Sequence, residues 1–100
     1  MITLNLLHPI DNTPIQTWKF ESRTVIRIGR SGDNDVILYS SVVSRYHVEL
    51  HRHEQHWEIV NTGTNGIYIN DQEIANERLQ DGMIIRLATT GPKLQILLKT

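Results

Sequence analysis

A chain of 100 residues with 39% hydrophobic residues can build one core but not two, and it is too apolar to stay disordered. Its net charge is −1 and no block of like charge stands out, which speaks against wrapping nucleic acid. It has no cysteine, so a disulfide scaffold, a thiol nucleophile and thiolate metal ligation are excluded.

The elements read in chain order have a period of two. Ile2, Leu4 and Leu6 alternate with Thr3 and Asn5, and the turn Asp11-Asn12-Thr13-Pro14 follows. A strand is expected over Val25–Ile28, then the polar loop Ser31-Gly32-Asp33-Asn34. Tyr46, Val48 and Leu50 alternate with His47, Glu49 and His51. Thr62-Gly63-Thr64-Asn65-Gly66 is a loop, and Ile67 and Ile69 flank Tyr68 before a hairpin turn at Asn70-Asp71. Glu73 to Leu79 lacks an amphipathic stripe and reads as loop and short strand. Ile84, Arg86 and Ala88 alternate with Ile85 and Leu87; Leu94, Ile96 and Leu98 alternate with Gln95 and Leu97. About ten such short runs with Gly and Asn turns predict a two-sheet sandwich or a small barrel. The strands run from about residue 2 to residue 99, so a single domain is expected to fill 1–100.

Three loops carry chemistry. Gly29-Arg30-Ser31-Gly32-Asp33-Asn34 sets a guanidinium behind a glycine. Tyr39-Ser40-Ser41-Val42-Val43-Ser44-Arg45 combines hydroxyls with a second guanidinium. Thr62 to Gly66 adds hydroxyls, an amide and backbone N–H groups. Forked donors, hydroxyls and free amides suit a phosphate dianion. Plain turn chemistry accounts for each loop taken singly, and Arg30 has Asp33 and Asp35 as possible partners in sequence.

Enzyme and metal readings find less support. Ser44 and His47 form Ser-x-x-His, but in an extended chain their Cα atoms lie roughly 10 Å apart. Gly29-Arg30-Ser31-Gly32 lacks the lysine and helix of a P-loop. His51 and His53 share a strand face and offer a divalent ion two ligands, yet they also read as the polar side opposite Val48 and Leu50. No metal or other cofactor is expected.

In order, Gly29-Arg30, Ser44-Arg45-Tyr46-His47 and Thr64-Asn65-Gly66 resemble the forkhead-associated (FHA) domain family. Asn34-Asp35-Val36-Ile37-Leu38 is similar to its Asn-Asp-hydrophobic stretch. Leu79-Gln80-Asp81-Gly82-Met83-Ile84-Ile85 is similar to another of its segments, with acidic residue and glycine transposed. The motifs fall in residues 24–88, and the wider similarity runs from about 24 to 98. The resemblance implies an all-β sandwich of about eleven mostly antiparallel strands, with binding loops at one end. It implies a non-enzymatic module that binds phosphothreonine peptides. By the same resemblance Arg30, Ser44 and Arg45 contact phosphate, and Thr64 and Asn65 meet the peptide. Gly29, His47 and Gly66 support the site, with His47 bracing the loop that carries Ser44. Gly29 is expected to let the backbone turn so that Arg30 points outward, and Gly66 to take a positive φ. Tyr39, Ser40, Val42 and Val43 are candidates for reading residues around the phosphothreonine. The chain departs from the family at Asn61, where many members carry Asp, and at Ile67, where many carry Thr.

The expected partner is a phosphothreonine protein in Ser/Thr-kinase signalling, with neither nucleic acid nor direct membrane insertion. A phosphate-independent scaffold, or self-association within a larger bacterial assembly, is the alternative. No apolar run nears the roughly 20 residues that cross a bilayer, and Met1–Asn5 lacks the marks of a secretory leader. The absence of cysteine and the short loops suggest a cytoplasmic prokaryotic regulator.

Overall fold

A computed structural model describes residues 1–99. Its eleven strands are β1 (Ile2–Leu7), β2 (Pro14–Phe20), β3 (Val25–Gly29), β4 (Val36–Ile37), β5 (Val48–Arg52), β6 (Trp57–Asn61), β7 (Ile67–Ile69), β8 (Gln72–Ile74), β9 (Asn76–Arg78), β10 (Ile84–Leu87) and β11 (Lys93–Leu98). One sheet has the order β2-β1-β11-β10-β7-β8 and the other β4-β3-β5-β6-β9. Every pairing is antiparallel except β3 with β4, which is parallel with Ile28 opposite Val36. Among the described residues there is no helix, and the segment Glu73 to Leu79 supplies β8 and β9. Among the described residues, then, no helix is long and apolar enough to cross a membrane.

Alternation explains the core. Ile2 and Leu4 of β1, Ile26 and Ile28 of β3, Val48 and Leu50 of β5, and Leu94 and Ile96 of β11 are buried and meet between the sheets. Each fully buried side chain of this size contributes about 1.5–3 kcal/mol, which offsets the entropy of ordering the strands. In β10 both registers carried apolar residues, and the structure turns Ile85 and Leu87 inward. Ala88 is buried too, but just past the strand at φ 67°. Tyr46, expected in phase with Val48, is half-exposed because β5 starts only at Val48.

The turns follow their residues. Asn70 and Asp71 sit at φ 50° and 63°, both left-handed, and close the β7–β8 hairpin with Ile69 opposite Gln72. Asn12, at φ 57°, turns β1 into β2.

Register sets which loops share an end. Leu6 lies opposite Leu94, Arg86 opposite Lys93, and Leu87 opposite Ile67. The β1–β2 turn, the β10–β11 turn and the segment entering β7 therefore stand at one end of the six-stranded sheet. The backbone of β3 runs on into hydrogen bonds with 44–47, and this part of the other sheet joins the same end through Thr64 N to Ser44 Oγ and Asn65 Nδ2 to Val42 O.

Candidate functional site

The segment leaving β3 is zipped to the segment entering β5. Arg30 N donates to Ser44 O at 3.0 Å, Ser31 N to Arg45 O at 3.1 Å, and His47 N to Ile28 O at 3.0 Å. Residues 30 and 44, fourteen positions apart, are thus neighbours. Gly29 is what permits the approach. A Cβ there would overlap the Arg45 carbonyl and stand 2.9 Å from Asn34 Nδ2. Gly29 is not among the residues with positive φ, so the expected turn is replaced by a close backbone contact.

Arg30 is exposed, and its Nε donates to Val43 O at 3.0 Å. Among the described residues its terminal guanidinium nitrogens meet no carboxylate within ion-pair distance. The acids that might have paired with it are held elsewhere. Asp35 bonds Arg23 at 2.7 Å and the Arg27 N–H at 2.8 Å. Asp33 accepts from the Ser31 hydroxyl at 2.6 Å and from Tyr46 Oη at 2.8 Å, and these hydroxyls hold its carboxyl below the usual range. Arg45 is exposed and, among the described residues, likewise lacks a carboxylate partner.

Ser44 is half-buried. Its Oγ accepts from Thr64 N at 3.3 Å, and among the described residues its own hydrogen meets no acceptor and can donate. Gly63 allows this, since a Cβ there would stand 2.9 Å from Ser44 Oγ and 3.0 Å from the His47 ring. His47 is fully buried beneath the three loops. Its Nδ1 accepts from Ser44 N at 3.0 Å, and its Nε2 donates to Gly66 O at 2.7 Å. Burial pushes its pKa down, against a smaller upward pull from the Gly66 carbonyl, so the ring is neutral in this geometry. Both ring nitrogens are engaged, and neither is left to act as a base for the Ser44 hydroxyl. The chain between these residues is bent rather than extended, which brings the ring to Ser44's backbone.

Gly66 takes φ +81°, as expected. Its carbonyl also accepts from Ala88 N at 2.9 Å, so one oxygen ties the His47 brace to the β10–β11 turn. Asn65 is exposed; its Nδ2 donates to Val42 O at 2.8 Å and its Oδ1 faces no protein donor among the described residues. Thr64 is exposed beside it.

Of the candidate reading residues, Tyr39 is exposed and Ser40 and Val42 are half-buried at the same end. Val43 is a correction. It is 1% exposed and belongs to the core cluster, because the loop crosses the open end of the sandwich and an apolar side chain must plug it. Only its carbonyl serves the site, through Arg30 Nε. Asn34 is the residue that reasoning from sequence passed over. It is buried, and its Nδ2 donates to Ser31 O at 2.9 Å and to Arg45 O at 2.7 Å. Its place in the Asn-Asp-hydrophobic stretch was the available signal. The histidines of β5 lie elsewhere: His51 bonds Glu49 at 2.8 Å and His53 bonds Glu58 at 3.0 Å. Among the described residues no three potential ligands converge on a metal position.

The family model of the FHA domain matches residues 26–88, more than half of the chain. The chain belongs to the FHA domain family. Among curated proteins none matches it. An FHA domain solved for a structural and functional analysis of phosphothreonine-dependent FHA domain interactions is 26% identical, with a TM-score of 0.82 over 99% of this chain and 97% of that one. The FhaA FHA domain complexed with the intracellular domain of Rv3910 is 27% identical, with a TM-score of 0.79 over 96% and 99%. The Rv1747 FHA-1 domain of Mycobacterium tuberculosis, 20% identical with a TM-score of 0.83 over 99% and 96%, shares the fold.

Proposed function

We propose that this FHA domain is a non-enzymatic interaction module that binds phosphothreonine segments of partner proteins in cytoplasmic Ser/Thr-kinase signalling. The observation that carries this reading is the guanidinium end of Arg30, which meets no carboxylate among the described residues, on a backbone joined to that of Ser44 by the Arg30 N–Ser44 O bond. Arg30 supplies a permanent cation whose fork matches two phosphate oxygens. Ser44 donates its hydroxyl hydrogen to a third, and Arg45 adds a second cation. Hydrogen bonds to a charged group contribute about 1.5–3 kcal/mol each, so these donors suffice to separate a phosphorylated from an unphosphorylated segment. The Asn65 amide keeps a free acceptor for a peptide N–H and so holds the main chain without reading its side chains. The similarity to a domain studied for phosphothreonine-dependent interactions supports the same reading.

Calorimetric titration with a phosphothreonine peptide library tests it. Binding is expected for phosphorylated members only. Equal affinity for the unphosphorylated forms, or no binding to any member, overturns the proposal.

A further inference from the structure

Large apolar side chains that face solvent are unevenly placed. Ile10, Ile15, Tyr39 and Tyr46 are exposed, and all four lie on or next to the loops of the Arg30 end. Met1, the fifth, stands at the far end of β1. Single exposed apolar residues are ordinary. Their confinement to the end that carries the proposed phosphate seat is what marks a surface.

Ile10 is the extreme case, at 88% exposure on the tip of the β1–β2 turn. The turn does not need it. Asn12 supplies the left-handed residue, and the Asp11 carboxylate accepts from Thr13 N at 3.1 Å and Thr13 Oγ1 at 2.7 Å. His8 N bonds Thr13 O at 2.8 Å, Asn12 N bonds His8 O at 3.0 Å, and Ile10 N bonds His8 Nδ1 at 3.2 Å. Pro9 fixes the preceding backbone, and Lys93 Nζ ties the tip to β11 through Asn12. An isoleucine is therefore held out to solvent on a stiff support, which lowers the entropy lost when it is covered.

The route from the phosphate seat to Ile10 is continuous. Asn65 bonds the Val42 carbonyl, Val42 packs on the β10–β11 turn at Gly91, and that turn adjoins the β1–β2 turn across β11. From β7, entered just after Gly66, to β1 is three strand spacings, or about 14 Å, which an extended chain covers in about four residues, and the seat before β7 and the tip beyond β1 lengthen the path by at least one more.

We propose that the β1–β2 turn is a second docking element, on which Ile10 receives an apolar side chain about five residues from the phosphothreonine in the same extended segment of the partner. This rests on the phosphothreonine reading and adds a requirement to it: the bound segment is long and carries a hydrophobic residue away from the phosphate.

The test uses the best phosphothreonine peptide from the library in two lengths, seven and fifteen residues, centred on the phosphothreonine, with leucine scanned through the outer positions of the longer one. Leucine at about the fifth position on one side is expected to tighten binding roughly tenfold, the change that about 1.4 kcal/mol produces. Ile10→Asp, whose site is exposed and whose denaturation midpoint is expected to be unchanged, removes that gain and leaves the seven-residue affinity as it was. If leucine gives no gain anywhere, or the gain survives Ile10→Asp, the second docking element is overturned while the phosphothreonine reading stands. If the seven-residue peptide does not bind at all, that reading falls and takes this one with it. Light scattering that shows self-association abolished by Ile10→Asp assigns the surface to a second copy of the chain and likewise overturns the proposal.

Discussion

The Asn70-Asp71 turn and the Arg30 end are built by different rules. The turn is closed by its own two residues, both left-handed, between strands that pair directly. The Arg30 end is closed by bonds between segments distant in sequence: Arg30 to Ser44, Thr62 and Gly63 to His47, Asn65 to Val42, Ala88 to Gly66. One can be designed from a dipeptide. The other exists only once both sheets are in place. The difference teaches that damage to the turn should stay local, whereas damage to the loop end should reach stability and binding together.

The sharpest break is Gly29→Ala. The new methyl meets the Arg45 carbonyl backbone, and a forced shift of this kind costs up to about 3 kcal/mol. Urea denaturation should show the loss, and phosphopeptide binding should fall with it. An unchanged midpoint would sink the close-approach account. Arg30→Ala separates the two properties. It is expected to lower phosphopeptide affinity roughly 10–100-fold, since about 1.4 kcal/mol is a factor of ten. The midpoint should fall only slightly, because the Arg30 side chain is exposed and the fold loses one bond, Nε to the Val43 carbonyl, of about 1 kcal/mol.

Asn34→Ala removes two bonds to carbonyls of the zipped segments and is expected to cost about 1–2 kcal/mol. Amide exchange should rise first at Ser31 and at residue 34, whose N–H groups share the Arg45 and Ser31 carbonyls with the lost amide, and protection that stays even across the loops would argue against a clamp. Asn70→Ala probes the other region. A left-handed alanine costs about 1–2 kcal/mol, and here phosphopeptide affinity should not move.

The smallest effect is a pH dependence. His47 binds its proton less readily folded than unfolded, so the unfolded chain takes up more protons as the pH drops. Its contribution is fully present above its ordinary value of 6.5 and is lost progressively as the pH falls below that. Protonation also removes the Nδ1 acceptor of Ser44 N, so the binding loop loosens in the same window. Denaturation midpoints read between pH 7 and 5 should fall, and His47→Gln should flatten the slope. An equal slope in both proteins would place the titration on another group.

Much of this was legible in advance. Val48, Leu50, Leu94 and Ile96 announced their buried faces by period, and Asn70-Asp71 announced its turn. Gly66 announced a positive φ. Val43 was misjudged and Asn34 passed over for one reason: each acts through a contact with a distant segment, and the same letters in a loop of another shape would do something else. Gly29 was given the wrong cause, since an absent side chain looks the same whether it serves a turn or a collision avoided.

By itself, then, the order of residues determined most of the strands, though not β2, whose residues are largely exposed, together with the local turns and the three loops holding guanidinium, hydroxyl and amide groups, because alternation and turn chemistry act over a few neighbours. Tertiary structure alone decided that Asp33 is occupied by hydroxyls and Asp35 by Arg23, leaving Arg30, on the backbone next to Ser44, without a carboxylate among the described residues. It also decided that Val43 plugs the core and that Ile10 stands at the rim of the same end. Partners of this kind are chosen by proximity across sheets, and proximity is a property of the packed chain.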